Sequence, residues 1–340
     1  MPHPSRALVR RHAHRVSAAL LATVVLAAGA ACGTEPDPDP GGAGEYPMTV
    51  TNCGRDVVIE QPPERILALG GEAAAMLWAA GGVDRISTFG PVDGEPLGAA
   101  ADDLADLPTI DVPGSGEISR ESIIGEQPDL VVTFGLNATS PEELADAGIP
   151  SLIISGRCDD AGAGQDAADY SALAAVYDDI TTYGQLLGTE EQAQTAIEEL
   201  QARVDAVAAQ VEGDSARPGA ALFVSGADSA LGAYGGLSMV HEQLGILGFQ
   251  NVFGDTAQRY FEPSVEALID AQPEVIIALY QASDNSAETA EAALADRGEL
   301  EDIPAVADDR VLAIDFFYTG NSIIAVDGLE QLAEQLRSLT

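Results

Sequence analysis

Residues able to do covalent or metal chemistry are scarce in this 340-residue chain. All 15 basic residues are Arg, so no Lys can form a Schiff base, act as a general base or close a phosphate-binding loop. Of the four His, His3, His12 and His14 crowd the first fifteen residues and His241 alone lies in the body. One imidazole cannot build a multi-His zinc or manganese site. A serine-hydrolase triad would need His241 as its base, and no Gly-x-Ser-x-Gly elbow is present. No catalytic residue and no metal-ligand set is therefore assigned. The 55 acidic residues give a formal net charge of −40, which excludes sequence-independent nucleic-acid binding. A hydrophobic fraction of 46% excludes disorder as the main state. What remains with defined spacing is a pair of carboxylates, a pair of cysteines and a few arginines.

The carboxylates belong to an internal repeat. The run from Ser119 to Val132 aligns without a gap on that from Ser264 to Ile277. Both copies read Ser-x-Glu, an apolar turn, Gln-Pro-acid, then an apolar strand. In each, Ser is the helix N-cap, Glu121 or Glu266 sits in the first turn where the helix dipole favours it, and Pro ends the helix. Similar units need similar caps, but caps alone do not require one outward Glu at the same place in both halves. A matched pair of exposed carboxylates suits docking onto a two-fold symmetric partner.

Arg6, Arg10, Arg11 and Arg15 precede an uncharged apolar run, Val16 to Ala31, and then Cys32. This reads as an export signal over residues 1–31, too short to span a membrane as a helix. It resembles a bacterial lipoprotein signal, with Gly29 where such boxes carry Leu, and that resemblance implies lipidation of Cys32. Removing it leaves 11 Arg against 55 acids, a net −44. Residues 32–48 are rich in Pro and Gly and read as a flexible tether. Cys53 and Cys158 are an even pair in an exported chain; a disulfide is expected, with two buried free thiols as the alternative.

Short apolar runs must position these groups. Ile66–Leu69, Arg85–Phe89, Leu130–Phe134 and Ser151–Ser155 alternate with helical patterns over 72–80, 119–126 and 141–147. The alternation resumes with Ala221–Ser225, Val275–Tyr280 and Val311–Asp315 and helices near 237–244, 265–271 and 324–339. The predicted class is α/β: two lobes, 49–188 and 213–340, with mainly parallel sheets. One rigid helix over 189–212 joins them, opened by a Thr189/Gln192 capping box. Its apolar stripe is Ala193, Ile197, Leu200, Val204, Val207 and Val211, and it would span roughly 35 Å.

With these motifs in order, the chain resembles the substrate-binding proteins of ferric-siderophore and cobalamin ABC importers. The carriers are Pro63-Glu64-Arg65-Ile66-Leu67-Ala68-Leu69, the Ser-x-Glu…Gln-Pro-Asp-Leu-Val-Val block, Leu186-Leu187-Gly188-Thr189-Glu190-Glu191, and Gly248-Phe249-Gln250-Asn251-Val252-Phe253. Thr51-Asn52-Cys53-Gly54 and Pro62-Pro63-Glu64-Arg65 resemble the iron-siderophore branch. The resemblance covers about residues 50–340, with the binding domain near 64–340. It implies a monomeric, non-enzymatic protein on the outer face of the cytoplasmic membrane. It also implies no cofactor, a ferric siderophore whose iron is held by the chelator, and a dimeric ABC permease with its ATPase subunits. Glu121 and Glu266 would dock Arg pockets of that permease. Haem or cobalamin is the alternative ligand, and an exported hydrolase the alternative class.

Ligands of parallel α/β sheets gather beyond the carboxyl ends of strands. Those ends carry Phe134, Tyr234, Tyr280 and Tyr318, with Arg157 and Arg259 as the ligand-facing cations and Tyr260 just ahead of the second Ser-x-Glu helix. Aromatic walls with a few directed donors suit a bulky, partly apolar chelate. Trp78 and His241 are expected to be structural. A strongly negative field favours neutral or cationic hydroxamate-type chelates over catecholates.

Overall fold

The structure is a computed structural model that describes residues 45–112, 118–158, 170–211, 217–226 and 229–339. The signal segment, Cys32 and nearly all of the tether lie outside the described residues. Residues Gly41–Thr340 form one compact unit. It opens with a hairpin of β1 (Met48–Asn52) and β2 (Arg55–Ile59), where Cys53 and Gly54 take the positive φ that a two-residue turn needs.

The first lobe is a four-stranded parallel sheet of β3 (Ile66–Leu69), β4 (Ile86–Gly90), β5 (Leu130–Thr133) and β6 (Ser151–Ile153) in the order β4-β3-β5-β6. Its strands are buried on both faces, as expected for continuous apolar runs under helices. The helices are α1 (Gly71–Ala79), α2 (Ala101–Leu104), α3 (Arg120–Gly125) and α4 (Pro141–Asp146).

The joining segment is a helical hairpin: α5 (Ala172–Leu187), a left-handed Gly188, then α6 (Glu190–Ala208). The expected capping box does not form. Thr189 instead donates its hydroxyl to the Ala80 carbonyl at 2.5 Å, fastening the turn to the end of α1. At 19 residues α6 spans about 28 Å, shorter than expected. Its stripe serves two cores. Ala193, Ile197 and Leu200 are buried in the first lobe, Val207 in the second, and Val204 packs against both, whereas Val211 lies beyond the helix.

Among the described residues the second lobe has six strands: β7 (Arg217–Phe223), β8 (Gly232–Tyr234), β9 (Phe249–Asn251), β10 (Tyr260–Phe261), β11 (Val275–Tyr280) and β12 (Val311–Asp315). The order is β10-β8-β7-β11-β12, with β9 also on β7. β7, β9, β11 and β12 run parallel, but β8 is antiparallel to both neighbours, so this sheet is mixed. Its helices are α7 (Met239–Ile246), α8 (Val265–Ala271), α9 (Ala287–Ala295), α10 (Pro304–Ala307) and α11 (Ile324–Ser338). No helix among the described residues is long and apolar enough to cross a membrane.

Candidate functional site

The carboxyl edges of the two sheets face one another. Beyond β12 the chain turns through Gly320, Asn321 and Ser322 and meets the segments that follow β3 and β6. Asn321 Nδ2 donates to the Gly156 carbonyl at 3.1 Å, and both Asn321 and Ser322 are buried. A Cβ on Gly156 would stand 2.4 Å from Asn321 Cγ, and one on Gly320 would stand 2.0 Å from Glu72 Oε1. Glycine at these two places is what lets the lobes approach.

The first-lobe side of this cleft is polar and charged. Glu72, in the first turn of α1 and only 3% exposed, receives Arg157 Nη2 at 3.1 Å. Glu95 reaches back from the loop after β4 and accepts from the backbone N–H of Gly71 (2.6 Å) and of Glu72 (2.8 Å), capping α1 from 24 residues away. Burial first, and then the Glu72 charge, raise the Glu95 carboxyl to about 7 against those two hydrogen bonds and Arg157. Arg157 rides on a single turn after β6 whose Ser155 donates to buried Asp179 of α5 through N (2.8 Å) and Oγ (2.6 Å). Burial lifts Asp179 to about 7 as well.

The second-lobe side is aromatic. Phe223 and Phe316 meet edge to face at 6.0 Å, Phe316 and Phe317 lie 4.2 Å apart, and Tyr234 and Tyr260 meet at 5.5 Å. Burial, followed by the Asp315 carboxylate and other nearby groups including Tyr318, raises the Tyr280 hydroxyl. Asp315 is itself held by the N–H groups of Phe317 and Ala282.

The expected site residues fall into three groups. Tyr260 is exposed (41%), over Gly232, and Tyr280, Tyr318 and Phe134 are half-buried at strand ends, with the Phe134 ring against Gly70. Tyr234 is only 7% exposed and belongs to the core cluster of Val240 and Leu244, so it backs Tyr260 rather than lining an open wall. Arg157 is engaged by Glu72, while Arg259 is half-buried beside Tyr260. Sequence reading missed Glu95, Asp315 and Asn321. Only their places after β4, β12 and the following turn could have signalled them.

Glu121 and Glu266 are both exposed in the first turns of α3 and α8. The caps are near copies: Ser119 (φ −71°, ψ 149°) accepts from Ser122 N at 3.1 Å, and Ser264 (φ −71°, ψ 150°) from Ala267 N at 3.1 Å. The match persists at the helix ends, where Gln127 and Gln272 both take positive φ, 53° and 45°. Each glutamate thus opens a short helix that leads directly into a sheet strand, α3 into β5 and α8 into β11. Trp78 is half-buried on α1, donating to Asp103 at 2.6 Å, and His241 lies in α7 with burial lowering its pKa. Cys53 and Cys158 form the disulfide, Cα atoms 4.9 Å apart, and Asn52 clamps the Ile153 backbone at 2.7 and 2.8 Å. Among the described residues no cluster of His, Cys, Asp or Glu could hold a metal ion.

No curated protein matches the chain. Among solved structures, an ABC-type Fe3+-hydroxamate transport system protein of Saccharomonospora viridis is 31% identical, with 85% of this chain and 99% of that one covered and a TM-score of 0.71. A periplasmic haem-binding protein of Vibrio cholerae (18% identity, 80% and 98% covered, TM-score 0.61) shares the fold. So does a vitamin B12-binding protein of the same organism (19%, 82% and 98%, 0.57). The profile of the periplasmic binding protein family matches residues 66–317. Two lobes meeting at their strand ends accord with that match: the chain belongs to the periplasmic binding proteins, extracytoplasmic solute-binding components of transport rather than enzymes.

Proposed function

We propose that this protein captures a ferric siderophore between its lobes and delivers it to an ABC permease for iron uptake. The observation that carries this reading is the pair of exposed glutamates on identically capped helices, one leading into β5 and the other into β11. Such a pair offers a permease of two like subunits one carboxylate each. The 31% identical relative described as part of an Fe3+-hydroxamate system supports the ligand class. So does the cleft. An aromatic wall of Phe316, Tyr280 and Tyr318 suits the apolar shell of a chelate, and Glu72, Glu95 and Asp315 disfavour a strongly anionic one. Iron stays with the chelator throughout, and no bond is made or broken. Lipidation of Cys32 would hold the protein at the outer face of the membrane.

The test is titration of the mature protein with ferric hydroxamates, ferric catecholates, haem and cobalamin, following Trp78 and Tyr fluorescence. Saturable binding of a neutral or cationic ferric hydroxamate is expected. A response confined to haem or cobalamin, or none to any iron chelate, rejects the assignment.

A further inference from the structure

Three of the eleven arginines that follow the signal segment, Arg217, Arg310 and Arg337, line one groove of about 370 Å³. Arg217 opens β7, Arg310 immediately precedes β12, and Arg337 lies in the last turn of α11. The groove is therefore at the amino ends of the second-lobe strands, the end away from the cleft. Val207, Val211, Leu247 and Leu336 give it an apolar floor.

The ordinary role of a surface Arg in so acidic a protein is to offset a neighbouring carboxylate. Arg55 does so with Glu142, Arg157 with Glu72, and Arg203 with Asp327 and Glu330. Arg217 and Arg310 do not. Arg217 stacks on the Phe249 ring at 4.4 Å, and neither guanidinium has an ion pair or hydrogen bond among the described residues. Arg310 Nε is buried without a partner. Arg337 alone is engaged, by Glu334 and Gln210. No acidic side chain is among the described residues lining the groove. A buried guanidinium N–H beside an apolar floor is costly until an anion meets it, and the guanidinium fork matches carboxylate and phosphate oxygens.

We propose that this groove is a second ligand site, for an anionic amphiphile: one carboxylate or phosphate head on a short alkyl chain, bound independently of the cleft. The rim takes the head by charge-assisted hydrogen bonds from Arg217 and Arg310, and the floor takes the chain. The volume lies within the range of small-molecule pockets.

The experiment is calorimetric titration of the mature protein with decanoate, decyl phosphate, decanol and inorganic phosphate, at low and high salt. One of the two anionic amphiphiles should bind at a single salt-sensitive site, with decanol and inorganic phosphate at least ~10-fold weaker. Arg217→Gln with Arg310→Gln should weaken that binding by ~10-fold or more while the protein stays folded and ferric-chelate binding is unchanged. Arg310→Gln alone serves if the double variant does not fold. Binding of decanol as tight as that of the anions, binding indifferent to the arginines, or no binding at all overturns the proposal. Glu212 and Asp214 precede Arg217 in the chain, outside the described residues. Binding that appears only in Glu212→Gln with Asp214→Asn would make the counter-charge internal and overturn it too.

Discussion

The two lobes are alike where they face outward and unlike where they face each other. α3 with β5 and α8 with β11 share their Ser caps, their outward glutamates and even a left-handed Gln before Pro. Across the cleft, one lobe presents Glu72, Glu95 and Arg157, the other Phe223, Phe316, Tyr280 and Tyr318. The contrast separates two demands. Docking to a symmetric partner requires the halves to keep one geometry, whereas enclosing an asymmetric chelate requires them to diverge.

The sharpest way to break this comparison is charge reversal outside. Glu121→Arg with Glu266→Arg should abolish uptake in cells and leave ligand affinity within about 2-fold, because both side chains are exposed on helices apart from the charged and aromatic walls. Uptake that survives, or affinity that falls with it, would erase the division of labour. Next is the link between the hairpin and β6. Cys53→Ser with Cys158→Ser opens a loop of 105 residues and should cost roughly 2–5 kcal/mol in denaturant unfolding of the oxidised protein. An unchanged midpoint would make the bridge incidental. Inside the cleft, Tyr280→Ala should weaken ferric-chelate binding by roughly 10-fold, against little change for Tyr234→Phe, whose ring is buried. Equal effects would merge the wall with its backing.

The smallest effect is set by pH. Glu95 and Asp179 titrate near about 7 in the folded protein, against 4.5 and 3.8 ordinarily. Between those limits the folded state holds more protons than the unfolded one. Stability should therefore fall as pH rises from about 5 to about 7 and level off above. Melting curves across pH 5 to 8 test this, and Glu95→Gln should flatten the slope. A slope that rises with pH would contradict the burial of these two groups.

Much of the fold was legible because buried parallel strands are continuous apolar runs. Ile66–Leu69, Val275–Tyr280 and Val311–Asp315 have the expected bounds, and the repeat located both capped helices. The short strands β8, β9 and β10 were not legible, since two or three residues carry no period and antiparallel pairing is decided by partners elsewhere. The capping box at Thr189 failed for a related reason: a tertiary acceptor at Ala80 took its hydroxyl. The contacts around the candidate site were less legible. Aromatic residues at strand ends could be named, but the Glu72–Arg157 pair joins positions 85 apart and the Glu95 cap spans 24. Local spacing cannot disclose such contacts.

The hairpin that opens the folded body has a mechanical consequence. Tension on the chain ahead of β1 would reach a turn cross-linked to the loop after β6 and an Asn52 amide gripping the Ile153 backbone. A pull from that end is thus handed to the first-lobe sheet as a whole rather than unzipping the hairpin. Because Cys158 caps the same turn that carries Arg157, the load enters the sheet one residue from the charged wall of the cleft.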